Sequence, residues 1–175
     1  MSEENNQAFI DGQNLTYSTR NAKQPWTVDL ARLRVYLRER YGAQKAYYFM
    51  GYYVDELFDL YGAIQEAGFI LNFRKYNDKM ASIKKGNVDT DIVFTIMRKI
   101  AKKEEFNKVI LVSGDGDYFR MVDFLVKENR FKKLLAPDIN CMSSLYKLLD
   151  RRYYADLGAV DVRKKIGVTK KRGIA

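Results

Sequence analysis

Val109 to Phe119 reads VILVSGDGDYF. An apolar, β-branched run ends in Ser113 and Gly114, then presents Asp115 and Asp117 one glycine apart. Acids held just past the carboxyl end of a buried strand sit where open α/β sheets build their sites. Carboxylates spaced this closely repel one another unless positive charge lies between them. Oxygen donors of this kind suit Mg²⁺ or Mn²⁺, and acid clusters holding such ions serve phosphoryl transfer.

Two further segments carry acids toward the same place. Ala8 to Asp11 (AFID) reads as a first strand ending in a carboxylate. In a parallel sheet, Asp11 and Asp115 then share the carboxyl edge. The third segment, KKGNVDTD (Lys84 to Asp91), leads into a helix. With Val88 as zero and about 100° per residue, Ile92, Val93, Ile96, Met97 and Ile100 occupy an arc from about 40° to 180°. Asp89 falls at about 100°, inside that arc, and Asp91 at about 300°, beside Thr95, Arg98 and Lys102. A carboxylate directed inward needs a compensating charge, because a helix N-terminus returns only ~0.3–1 kcal/mol. Asp89 is therefore the candidate ligand of the two. Each acid also has a plain structural reading. Asp11 could start a turn before Gly12, Asp117 could be a helix N-cap, and Asp89 a first-turn acid favoured by the helix dipole.

The 175 residues include one cysteine, Cys141, and no histidine. The missing histidine removes Ser-His-Asp and Cys-His catalysis, histidine acid–base pairs and the usual zinc sites. A lone cysteine excludes an intramolecular disulfide, and a reducing, cytoplasmic setting is expected. No run approaches the ~20 apolar residues that span a bilayer, so no membrane association is expected. Net charge is +9; residues 163–175 hold six basic side chains and no acid, which leaves +3 for the rest. That terminal run suits a phosphate backbone or serves as a solvated, flexible end.

Alternating strands and helices must position the acids. The pattern predicts strands at 8–11, 46–52, 69–73, 109–113 and 133–136. Helices are predicted from Pro25 and Asp29 to about Tyr41, then at 57–67, 88–103, 118–127 and 144–150. This alternation gives an α/β fold with a mostly parallel central sheet and helices on both faces. One domain is expected over residues 1–162, with 163–175 as a basic, flexible tail.

FIDGQN (Phe9 to Asn14), KKGNVD (Lys84 to Asp89) and LVSGDGDYF (Leu111 to Phe119), in that order and spacing, resemble the NYN domain. That family lies in the PIN-like nuclease superfamily, and the likeness is to its bacterial LabA-like branch, from Ala8 to Asp156. The resemblance implies a PIN-like three-layer sandwich and, for active members, metal-dependent RNA cleavage. The family's first-motif Asp and Asn match Asp11 and Asn14, and the acid after Lys-Gly matches Asp89. The acids of the Ser-Gly-Asp motif match Asp115 and Asp117. MSSLYKLLD (Met142 to Asp150) resembles the family's Ser-Ser-Leu helix start, where Ser143 or Ser144 could cap the helix or touch a phosphate. Some members are known by regulatory effects rather than by nuclease activity.

The expected activity is therefore that of a ribonuclease. Asp11, Asp89, Asp115 and Asp117 would hold one or two Mg²⁺ or Mn²⁺ ions, and Asn14 would orient substrate or a bound water. The 13 tyrosines and 10 phenylalanines favour single-stranded RNA through stacking, although the core claims most of them. The connection Arg74 to Gly86, with Arg74, Lys75, Lys79, Lys84 and Lys85, either steers RNA to the acids or is a solvated loop. Rival readings are a non-catalytic RNA-binding or regulatory module, and a phosphatase or nucleotide hydrolase. No Walker-type loop supports a P-loop enzyme. Self-association is left open.

Overall fold

The computed structural model describes residues 4–74 and 88–168. Lys75, Lys79, Lys84 and Lys85 of the basic connection, and Lys170, Lys171 and Arg172 of the tail, lie outside the described residues. Six strands, β1 (Asn6–Asp11), β2 (Ala43–Met50), β3 (Ile70–Phe73), β4 (Val109–Val112), β5 (Phe131–Ala136) and β6 (Tyr154–Asp156), form one sheet. Their order is β3-β2-β1-β4-β5-β6, and every pairing is parallel. The helices are α1 (Gly12–Arg20), α2 (Leu30–Tyr41), α3 (Phe58–Glu66), α4 (Val88–Ala101), α5 (Phe119–Lys127) and α6 (Val160–Ile166).

The strand period of two divides the apolar residues between two cores. Phe9, Leu111 and Leu134 meet Ile92 and Ile96 of α4 and Val122 and Leu125 of α5. Ala8, Ile10, Ile110 and Leu135 meet Leu15 of α1, Leu33 and Leu37 of α2, Ile64 of α3 and Ile166 of α6. The result is the expected three-layer α/β arrangement. Strands covered on both faces read as continuous apolar runs, as VILV does. Two consequences bear on the site. Asp11 follows Phe9 by two residues, so its side chain belongs to the α4 face. The strand order also reverses between β1 and β4, which opens a crevice at the carboxyl edge where both end.

Four features depart from the sequence expectations. Gly12 starts α1 directly instead of making a turn, and Asp11 is the N-cap. A Cβ on Gly12 would lie 2.3 Å from Cε1 of Tyr48 and 2.8 Å from the carbonyl oxygen of Phe49, so this close approach requires glycine. Residues 144–148 form a 3-10 segment rather than an α-helix to 150. The short β6 and α6 had not been anticipated. The fold also extends past residue 162. Arg163, Lys164 and Lys165 lie on α6, Ile166 is fully buried, and Gly167 bridges to Val28. Val162 and Ile166, four residues apart, turn one face of this basic helix to the core.

Candidate metal centre

Asp89 sits in the first turn of α4 and is 7% exposed, as the inward wheel position required. Asp115 follows β4 and is partly buried, while Asp117 lies exposed in the 3-10 turn Gly116–Tyr118. One carboxylate oxygen from each of Asp89, Asp115 and Asp117 lies within 4.8 Å of the others. Three acids from two elements thus form a donor set that runs from the interior to solvent. Among the described residues, no Lys or Arg forms an ion pair with Asp11, Asp115 or Asp117. The set could hold a metal ion.

Asp11 is buried and stands outside that set. Its Oδ1 accepts the Asn14 N–H at 2.9 Å, which caps α1, and its Oδ2 lies 2.9 Å from the Tyr118 hydroxyl. The same hydroxyl lies 2.7 Å from Oδ1 of Asp89. A phenol carries one proton and cannot donate to both carboxylates at once. Burial, and then the charges of Asp89 and Asp115, push the Asp11 carboxyl above its ordinary range, against the opposing Asn14 and Tyr118 hydrogen bonds. A proton kept on Asp11 would satisfy the second contact. Burial and the two carboxylates hold the Tyr118 phenol far above its usual range, so it stays a neutral donor. The Tyr146 phenol is pushed up by burial and by the charges of Asp115, Asp117 and Asp89, and its hydroxyl donates to the backbone oxygen of Asp115. Tyr118 was not singled out from sequence. Its only signal was an aromatic residue directly after the second acid.

The turn is fixed from several sides. Oδ1 of Asp115 accepts the Asp117 N–H at 3.0 Å, so Asp115 is the cap, and Asp117 is not. The Ser113 hydroxyl oxygen accepts the Asp115 N–H at 3.1 Å. Oδ1 of Asn14 accepts the Gly114 N–H at 2.9 Å and ties α1 to the turn. Asn14, expected to orient substrate or a bound water, therefore uses its side-chain oxygen to position the acid loop. Ser143 caps the 3-10 segment by accepting the Leu145 N–H at 3.4 Å, and its own N–H donates to the Gly114 oxygen at 2.9 Å. A Cβ on Gly116 would lie 2.6 Å from the Ser143 hydroxyl oxygen, so this glycine permits the two turns to touch. Ser144 is exposed beside it. Arg74 directly follows β3, with its guanidinium 5.7 Å from the Tyr52 ring centre.

A parallel three-layer sheet protein with an acid cleft at its strand-order reversal is the class that fold and site define. The chain belongs to the NYN domain family, which it matches over residues 7–145, within the PIN-like nuclease superfamily. Asp11, Asn14, Asp89, Asp115 and Asp117 all fall in that span. Low amplitude and bright protein LabA from Synechococcus elongatus is 25% identical over 173 residues, covering 93% of this chain and 88% of that protein. The crystal structure of a protein of unknown function from Vibrio parahaemolyticus is similar in fold, with a TM-score of 0.75 at 17% identity. The match covers 96% of this chain and 99% of that one. Among the described residues, no helix is long and apolar enough to cross a membrane.

Proposed function

We propose that this protein is a metal-dependent ribonuclease that hydrolyses phosphodiester bonds of single-stranded RNA. The observation that carries the reading is the set of three carboxylate oxygens within 4.8 Å, built around the buried Asp89. A purely oxygen donor set with one exposed member fits a hard divalent cation that keeps some of its waters, hence Mg²⁺ or Mn²⁺. Asp89, Asp115 and Asp117 would hold it. Asp11, expected from sequence as a fourth ligand, has both oxygens engaged, and in this proposal it sets the position and charge of Asp89 through Tyr118. When bound, the ion supplies Lewis-acid polarisation of the phosphate and activation of water. Asn14 and Ser143 hold the acid turn in place, and Arg74 and the exposed Ser144 are candidate phosphate contacts at the rim. A cytoplasmic setting suits the exposed, unpaired Cys141.

The test is incubation of the purified protein with end-labelled single-stranded RNA and Mn²⁺, beside Asp115→Asn. The expected result is cleavage that disappears with chelator and in the variant. Cleavage that survives Asp115→Asn points to a contaminant. Intact RNA that nonetheless stays bound to the parent favours a regulatory RNA-binding module.

A further inference from the structure

A second cleft of about 380 Å³ opens beside the acids, between the carboxyl edge of β2 and β3 and the polar side of α4. Phe49 on its floor is the strand-register partner of Asp11, about 4.8 Å away across the sheet. Asp91 on its wall is two residues from Asp89 along α4.

The lining has an uncommon chemistry. Phe94 is 62% exposed, although it projects from a helix whose other large apolar residues mostly serve the core. The Arg98 guanidinium lies over the Phe94 ring, 5.5 Å from its centre, so cation and ring form a stack on which a further planar group can extend. Phe73 lines the cleft too, and its ring is braced edge-on by Tyr61 at 4.7 Å and Tyr53 at 5.5 Å. Arg74 and Arg98 supply positive charge at the rim. Asp91 offers an acceptor to the donor edge of a base and disfavours a phosphate at its own position, which leaves phosphates to the two arginines. Exposed π faces, flanking guanidinium groups and the Asp91 acceptor suit a nucleobase with its backbone phosphate better than an apolar peptide.

We propose that this cleft is a base-stacking subsite. It would take one unpaired nucleobase of a single strand against Phe94 and Arg98, with the neighbouring phosphates on Arg74 and Arg98. A base inside a duplex has no free face to offer, so the subsite selects single-stranded substrate. The inference rests on the ribonuclease reading for the chemistry next door but concerns where the strand is held.

Binding is therefore measured separately from cleavage. The full chain carrying Asp115→Asn, which removes turnover, is titrated with a fluorescently labelled single-stranded RNA 12-mer and with the matching duplex, by fluorescence anisotropy. Adding Phe94→Ala is expected to weaken single-strand binding about ten-fold or more, in line with ~1–3 kcal/mol per stacked base. Phe94→Trp should restore it, Arg98→Ala should weaken it, and duplex binding should barely change. Phe124→Ala, at another exposed phenylalanine on α5, serves as a control that leaves binding unchanged. Single-strand affinity unmoved by Phe94→Ala overturns the subsite even if the parent cleaves RNA. Phe94-dependent binding by a parent that never cleaves supports the subsite and sinks the nuclease reading instead. A parent that binds no RNA overturns both.

Discussion

Tyr118 is fully buried, and its hydroxyl stands between two carboxylates that would otherwise face each other across the crevice. Phenylalanine at that position would fill the same volume and leave Asp11 and Asp89 without their shared donor. Tyr118→Phe is expected to cost about 1–3 kcal/mol in metal-free protein, the usual penalty for stranding buried polar groups. Urea unfolding in the presence of chelator measures it, and unchanged stability would show that the hydroxyl bridges nothing of consequence. Asp115 plays a different part, since it caps its own turn with one oxygen and belongs to the donor set. Asparagine keeps the cap but removes the charge, which makes Asp115→Asn the cleaner probe of metal binding.

At the scale of elements, α6 closes the fold behind α2. The Asp29 N–H donates to the Ile166 oxygen at 2.8 Å, and the Val168 N–H to the Thr27 oxygen at 2.9 Å. The Arg163 guanidinium lies 5.5 Å from the centre of the Trp26 ring. Ile166→Ala is expected to destabilise the protein by about 2–5 kcal/mol, the range for emptying a buried aliphatic site. A loose tail would show no change in denaturant midpoint. The helix within the basic run is not legible in sequence because Val162 and Ile166 are too few and too close to show a helical period. The α1 helix was missed for a related reason. It offers only Leu15 as a large buried apolar residue, and Gly12 at its first position resembles a turn. By contrast α2 carries both its signals in sequence, the Asp29 cap and Gly42 at φ +64°.

The whole molecule is basic at +9, yet its strand-reversal crevice gathers acids, so long-range attraction for phosphate coexists with a local demand for a cation. Its pH response includes a group at the end of β6, outside the metal-donor set. Burial, helped by the charge of Asp138, raises the Asp156 carboxyl above its ordinary range, against hydrogen bonds from the Gly158 and Ile139 N–H groups and the charge of Arg151. A raised carboxyl favours the folded state fully below the unfolded-state value, about 4, and that contribution is lost as pH climbs through the folded value. Asp156→Asn keeps an acceptor for the Gly158 N–H and avoids the charge. The variant should melt higher than the parent at pH 7, with the difference closing below about pH 4. A difference independent of pH would rule out titration of Asp156 as its source.

Much of the fold is local information written along the chain. The VILV and AFID runs are legible as strands because each is a short apolar run that ends at a polar, glycine-containing segment. The inward arc of α4 picks Asp89 over Asp91 because a helical period fixes direction. The three motifs, in order, carry the family. What only the tertiary structure decides is which of these groups meet. Asp89, Asp115 and Asp117 come within 4.8 Å, while Asp11 is joined to them through the Tyr118 hydroxyl, because side-chain reach across a crevice depends on packing between elements far apart in sequence. Asn14 becomes a tie to Gly114, and Phe94 faces an open cleft, for the same reason. Periodicity fixes the face on which a residue lies, and its partners are set by how the faces are brought together.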